Sequence, residues 1–156
     1  MKGMAWIAAA AAGTATFVAY KYSRAGYETA SYELLDQDGA FEVRSYSDVS
    51  LVSAPKSTAN PRDRGSFMKL FQYISGENAA GEKISMTTPV FMSGEGGSGK
   101  MSFVVPQEVA QAGVPPALDP DLELEAMEPG VYAAVRFAGP MSQEALREQR
   151  ARLGTW

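Results

Sequence analysis

An uncharged apolar stretch lies near the start of the chain. Residues 4–20 contain no charged side chain, Lys2 precedes them, and Lys21 and Arg24 follow. A helix of that length spans about 26 Å, near the lower limit for crossing a hydrocarbon core of about 30 Å. The pattern predicts an N-terminal hydrophobic helix within residues 1–22, which contacts the membrane and serves as a signal anchor or a signal peptide.

The same segment fits more than one kind of targeting signal. Small residues at 13–15 are typical of the cleavage site of a secretory signal peptide, whereas Phe17 and Val18 prolong the apolar run and favour an uncleaved anchor. An Ala-rich soluble helix is a third interpretation. A polar tether over 23–31 then leads into a folded domain at 32–156. We expect a membrane-anchored or exported protein, periplasmic or extracytoplasmic, and a domain facing the cytoplasm also agrees with the pattern.

Strand-like and helix-like periods alternate along the rest of the chain. After Asn60-Pro61, which suit an N-cap and a first helical position, apolar residues recur at the i, i+3, i+4, i+7 spacing of a helix. A second helix is predicted after Ser142, another N-cap residue. Alternating or continuously apolar runs predict strands at 32–35, 41–46, 49–54, 83–92, 101–105, 122–127 and 131–138.

The order of these elements repeats. Strand, turn, strand and helix follow one another over 32–75 and again over 122–153, and a hairpin follows the first copy alone. This pseudo-repeat predicts an α+β domain with two sheet halves, each carrying one helix. The second half is expected to lack its closing strands.

The residue composition excludes several kinds of chemistry. The chain has neither cysteine nor histidine, which rules out disulfides, cysteine and Ser-His-Asp nucleophiles, most zinc sites and the commonest axial ligand of heme iron. The net charge is −4, and no cluster of Lys and Arg suits a nucleic-acid backbone. We therefore expect no catalytic residue, no metal-ligating residue and no nucleic-acid partner.

Two blocks of sequence resemble a known family. Residues 67–78 read FMKLFQYISGEN and residues 83–90 read KISMTTPV. They are similar to the signature of the SOUL/heme-binding proteins, a helix ending in Tyr-Ile/Val-x-Gly-x-Asn followed by a strand with Lys-Ile-x-Met-Thr-x-Pro-Val. The resemblance covers roughly residues 31–150. It implies a distorted antiparallel β-barrel of two similar halves, and non-covalent binding of heme or another porphyrin in an apolar cleft along the first helix.

A candidate binding stripe lies on the first predicted helix. At about 100° per residue, it forms beside the inward face of Phe67, Leu70 and Ile74. Its members are Arg64, Phe67, Met68 and Phe71. The apolar members could contact a macrocycle and the guanidinium a propionate, and the resemblance implies that Arg64, Phe67 and Phe71 match the family's heme cleft. The alternative is that the apolar residues of the stripe pack in the hydrophobic core and bind no ligand, and that Arg64 is a surface residue.

The missing residue types also bear on how iron could be held. A side chain that ligates the iron would have to be Met, Tyr or Lys. We expect that no side chain does so, and that heme and metal-free porphyrin therefore bind with similar affinity.

Three alternatives to a tetrapyrrole binder stay open. They are a binder or sensor of another apolar or lipid-like ligand, a module that grips a peptide or helix, and an enzyme acting on such a ligand through Glu42, Glu77 or Glu82. Thr87 and Thr88 are expected to satisfy local backbone groups, since no base is at hand to activate them.

Overall fold

The structure of the chain, a computed structural model, describes residues 4–10, 16–21, 27–56, 65–94, 99–139 and 142–156, the first two ranges by their backbone alone. The helices are α1 (Gly65–Ile74), α2 (Gln107–Ala112) and α3 (Gln143–Thr155). The strands are β1 (Met4–Ala10), β2 (Thr16–Lys21), β3 (Glu28–Thr29), β4 (Glu33–Asp38), β5 (Phe41–Tyr46), β6 (Val49–Pro55), β7 (Thr87–Thr88), β8 (Val90–Ser93), β9 (Lys100–Val104), β10 (Glu123–Met127) and β11 (Gly130–Ala138). The fold class is α+β, as the sequence predicted.

Nine of the described strands form one sheet. Their order is β10-β6-β9-β8-β2-β1-β11-β5-β4, and the pairings within it are antiparallel. β3 and β7 form a separate parallel pair, in which Glu28 lies opposite Thr87 and Thr29 opposite Thr88. This small pair ties the segment before β4 to the end of the second sequence block.

Two tight corners carry the chain across the sheet. β5 leads into β6 through residues 47–48, and β10 leads into β11 through residues 128–129. β5 pairs with β11 and β6 pairs with β10, so that Tyr46 lies opposite Gly130 where the corners meet. The two predicted halves, with α1 in the first and α3 in the second, therefore exchange strands.

The sheet is open, so the predicted barrel is wrong. Among the described residues, β4 and β10 are its edges, each with one neighbouring strand. The side chains of β4 are exposed, several are acidic, and its register shifts between Leu34 and Asp36. Charged side chains and a bulge discourage further strand pairing, which explains why the sheet does not close along β4. Within the same residues α3 is the last element of the second half.

Each long helix covers a different region of the sheet. α1 contacts β6 and β9, and its core contains Leu70, Tyr73 and Phe103. α3 contacts β11 over a smaller core around Val135 and Leu153. A third apolar cluster lies at the two corners. The broad core beneath α1 fixes the orientation of this helix, which carries most of the candidate site.

The N-terminal segment differs from the predicted hydrophobic helix. Its described parts are β1 and β2, which pair with each other and lie between β11 and β8. The aromatic and β-branched residues of the segment suit strands, and the neighbouring strands supply backbone partners. In the described part of the chain, no helix has both the length and the apolar character needed to span a bilayer. The cleavage site and the first part of the tether lie outside the described residues, in residues 11–15 and 22–26.

The remaining local predictions have mixed outcomes. The Ser142 N-cap is confirmed, since its hydroxyl accepts a hydrogen bond from the Ala145 amide at 3.1 Å. The predicted start of α1 at Asn60-Pro61 lies outside the described residues. A continuous strand over 83–92 is wrong, because β7 and β8 are separated by Pro89, which has no N–H to donate to a ladder. The short helix α2 was not predicted.

Candidate functional site

One face of α1 is fixed in the core. Ser66, Leu70, Tyr73 and Ile74 are buried, at the spacing of a single helical face. The Ser66 hydroxyl also donates a hydrogen bond to the Pro55 carbonyl at the end of β6. These contacts hold the helix in one rotation about its axis, so the side chains on its other face have a defined direction.

Three apolar side chains of α1 lie outside this buried face, among them Phe67, which the sequence placed on the inward face with Leu70 and Ile74. Phe67 and Met68 are each 42% exposed and Phe71 is 46% exposed. The rings of Phe67 and Phe71 are nearly parallel, 13° apart, with their centroids separated by 6.1 Å. Phe67 also meets the buried ring of Phe103 edge to face, at 5.6 Å. The structure thus places three of the four predicted site residues on the exposed side of α1, a group called the α1 apolar face below.

The fourth predicted site residue, Arg64, directly precedes α1 and lies outside the described residues. The cation within α1 is Lys69, which lies about 160° around the helix from Phe71. Its ammonium is 3.4 Å from an Asp119 carboxylate oxygen and also pairs with Asp121. The hydrogen bond to Asp121 is the main reason why the pKa of Lys69 is raised. Lys69 is therefore engaged on the flank away from Phe71.

The end of the first sequence block closes the helix. The Tyr73 hydroxyl donates to the Pro115 carbonyl at 2.7 Å, and burial raises the pKa of Tyr73. The amide nitrogen of Asn78 donates to the carbonyls of Tyr73 at 3.0 Å and Glu82 at 2.7 Å. Its oxygen accepts from the amides of Ala80 and Glu82. Tyr73 and Asn78 are thus accounted for by the turn that they hold.

The second sequence block is also occupied by structural contacts. The Thr87 hydroxyl donates to the Val104 carbonyl. The hydroxyls of Thr88 and Thr29 lie 3.1 Å apart, and the Ala30 amide donates to the Thr88 carbonyl at 2.9 Å. Both threonines satisfy neighbouring groups, as the sequence predicted, and neither is placed as a nucleophile.

A buried charged cluster occupies the inward face of β5. Arg44 Nε donates to Glu42 Oε2 at 2.8 Å, and Arg44 Nη1 donates to the Tyr46 hydroxyl at 3.2 Å. The guanidinium carbon lies 4.2 Å from the centre of the Tyr32 ring. Burial alone would lower the pKa of Arg44, but its interactions with Tyr46 and Glu42 outweigh this effect and raise that pKa. Burial raises the pKa of Tyr46. The alternation over 41–46 puts Glu42, Arg44 and Tyr46 on one face of the strand but does not identify that face as buried.

The candidate acid–base residues do not form a catalytic arrangement. Glu42 is held in the ion pair with Arg44, whereas Glu77 and Glu82 are exposed in the turn after α1. Within the residues that the structure describes, no group of three or more acidic side chains is arranged to hold a metal ion. The α1 apolar face is therefore the feature with the clearest capacity to bind a ligand.

Comparison with known proteins agrees with the two sequence blocks. The family model described as SOUL heme-binding protein matches residues 27–156, which include both blocks and the whole of α1. No curated protein matches the chain. Because the family model matches more than half of the chain, this chain belongs to the SOUL heme-binding protein family.

Proposed function

We propose that this chain binds a tetrapyrrole, heme or another porphyrin, non-covalently on the α1 apolar face. The observation that carries the proposal is the exposure of Phe67, Met68 and Phe71 beside a helix face that is otherwise fixed in the core. The description of the family as heme-binding supports the class of ligand.

The α1 apolar face differs from the rest of the two sequence blocks. Tyr73, Asn78 and Thr87 are occupied by internal hydrogen bonds, whereas Met68 and Phe71 are nearly half exposed. Covering apolar surface contributes about 25 cal/mol per Å², and neighbouring exposed aromatic residues are typical of binding surfaces. A flat apolar macrocycle lying on these side chains would gain that energy without any change in the core.

Arg64 supplies the polar part of the proposed site. On the helical spacing of the sequence it falls beside Phe67 and Phe71. A guanidinium forms charge-assisted, bidentate hydrogen bonds with carboxylates, so Arg64 would pair with a propionate of the bound porphyrin. Lys69 is unsuited to this role because Asp119 and Asp121 already hold it.

We propose a non-covalent binding protein, as opposed to a covalent hemoprotein or an enzyme. Covalent attachment of heme through its vinyl groups uses a Cys-x-x-Cys-His motif, and the chain contains neither cysteine nor histidine. The candidate base Glu42 is held by Arg44, which favours binding over catalysis.

Titration of the full chain with hemin and with protoporphyrin IX tests the proposal. We expect a shifted Soret band with hemin and quenched porphyrin emission at micromolar concentrations, and weaker binding for Phe71→Ala and Arg64→Ala. Leu35→Ala is the matched control, since Leu35 is an exposed apolar residue of β4, away from α1. Absence of binding by the wild-type chain would reject the proposal, and equal weakening by the control would reject the assigned site.

A second candidate is a binder of another apolar or lipid-like ligand. The engagement of Lys69 by two carboxylates favours it, because the described part of α1 then presents an uncharged surface. Native mass spectrometry of the purified chain distinguishes the two ligand classes. A co-purified ligand with the mass of a lipid and no affinity for porphyrin would support this second candidate.

We also propose that residues 4–20 attach the protein to a membrane or direct its export. The support is the uncharged apolar run between Lys2 and Lys21. Alkaline carbonate extraction of membranes from expressing cells tests it. Anchoring predicts that the full chain stays in the pellet, and a cleaved signal predicts a shortened, exported product. Full-length chain in the soluble fraction would contradict both.

A further inference from the structure

At the α1 apolar face, where heme binding is proposed above, one side chain is suited to hold the heme iron. Because the chain has neither histidine nor cysteine, the side chains of α1 with an atom able to ligate heme iron are Met68, Lys69 and Tyr73. Their surroundings in the structure differ sharply.

Tyr73 is unsuited to hold iron. Its side chain is buried on the core side of α1, and its hydroxyl donates to the Pro115 carbonyl at 2.7 Å. A tyrosine ligates iron as a phenolate, whereas burial of Tyr73 raises its pKa and favours the neutral phenol. Ligation would require the loss of that hydrogen bond and the exit of the ring from the core.

Lys69 is unsuited for a different reason. An amine ligates a metal through the lone pair of its neutral form, and the hydrogen bond to Asp121, with Asp119 nearby, stabilises the charged form. Lys69 also lies about 160° around the helix from Phe71, so it does not face a ligand that covers the exposed rings.

Met68 has none of these obstacles. It is 42% exposed and lies three residues before Phe71 on the α1 apolar face. Met86 and Met101, by contrast, are packed against the core under α1. A thioether is uncharged, needs no deprotonation to ligate iron, and sits on a side chain with three rotatable bonds.

We propose that the Met68 thioether would hold the heme iron at this site. The expectation from sequence alone, iron without a protein ligand, is replaced because the structure leaves Met68 exposed while it engages Lys69 and Tyr73. Methionine ligation favours the reduced state of heme iron. It also gives the site a preference for heme over metal-free porphyrin, which apolar burial and propionate pairing cannot supply.

Met68→Leu separates iron ligation from apolar contact, because leucine keeps a similar apolar volume and lacks the sulfur. We expect the wild-type full chain to bind chemically reduced hemin roughly tenfold more tightly than protoporphyrin IX, and Met68→Leu to bind both alike. Leu35→Ala is again the control and should keep the wild-type preference.

A spectroscopic measurement on the wild-type chain does not depend on the variant. The chain is labelled with methyl-13C methionine, and its ferrous carbonmonoxy complex is measured by NMR. Because this complex is diamagnetic, the ring current of the macrocycle should move the Met68 methyl resonance far upfield. Protoporphyrin IX has a ring current but no iron to fix the thioether over the centre of the ring, so it should shift the same resonance clearly less. A methyl shift no larger than that with protoporphyrin IX, together with equal heme preference in wild type and Met68→Leu, would overturn the inference and leave the proposed function intact. Failure of both ligands to bind would overturn the proposed function itself.

Discussion

The ring of Phe67 lies edge to face against the buried ring of Phe103, with 5.6 Å between the centroids. The same Phe67 ring is stacked with exposed Phe71 on its other side. Phe67 therefore belongs both to the core under α1 and to the proposed ligand surface, whereas Phe71 belongs to the surface alone. The two phenylalanines should respond differently to substitution.

Phe67→Ala should lower both stability and porphyrin affinity, and Phe71→Ala mainly affinity. An edge-to-face pair contributes about 0.5–1.5 kcal/mol beyond area burial, so we expect Phe67→Ala to reduce the free energy of unfolding by about 1–2 kcal/mol. Phe71→Ala should change it by less than about 0.5 kcal/mol. Urea denaturation and porphyrin titration of the same two variants provide the check. Equal destabilisation by both would show that the division between core and surface is misplaced.

Asn78→Ala should destabilise the turn after α1. The substitution leaves the carbonyl of Glu82 and the amides of Ala80 and Glu82 without the Asn78 side chain as a partner. A hydrogen bond within a protein contributes about 0.5–1.5 kcal/mol, so the loss of several together should lower the free energy of unfolding by roughly 2 kcal/mol or more. Gln72→Ala, at an exposed position of α1, is the control in chemical denaturation and should be close to neutral. A loss as small as that of the control would contradict the role given to Asn78.

The sequence predicted the parts of the fold that depend on short-range spacing. The core face of α1 follows from the helical spacing of Leu70 and Ile74, and the start of α3 follows from the capping residue Ser142. β5 shows where such reasoning ends, since alternation defines two faces and does not say which one is buried. Burial of the face with Glu42 and Arg44 depends on their mutual ion pair and on neighbouring aromatic rings, which periodicity does not reveal.

The same limit applies to the candidate site. Helical spacing and the family blocks were sufficient to name Phe67, Met68 and Phe71. The partners of Lys69 come from residues 119–121, about fifty positions further along the chain, and no local pattern connects them. Without those partners, no local pattern distinguishes Lys69 from Met68 as a ligand for iron, and the expectation from the sequence was that neither holds it. The exchange of strands at the two corners, which leaves the sheet open, likewise depends on pairing between distant segments.

Removing one member of the buried ion pair of β5 should lower the free energy of unfolding more than replacing both members with apolar residues. Glu42→Leu or Arg44→Met alone leaves one uncompensated charge at a buried position, which typically costs about 3–5 kcal/mol. The double variant removes both charges and keeps apolar volume, so we expect it to recover most of that loss. A double-mutant cycle in urea denaturation measures the coupling. Additive losses in the double variant would show that the pair is not a stabilising unit.

The Tyr73 hydroxyl should make stability depend on pH in the alkaline range. Burial raises the pKa of Tyr73 in the folded state above its usual value of about 10, so its contribution is fully present below pH of about 10 and is lost as pH rises through the folded-state pKa. Tyr73→Phe should cost about 1–2 kcal/mol near neutral pH, because the Pro115 carbonyl loses its donor. That difference from wild type should shrink in urea denaturation above pH of about 10, whereas exposed Tyr27→Phe should match wild type throughout. A difference that stays constant with pH would mean that the Tyr73 hydroxyl is already free to ionise in the folded chain.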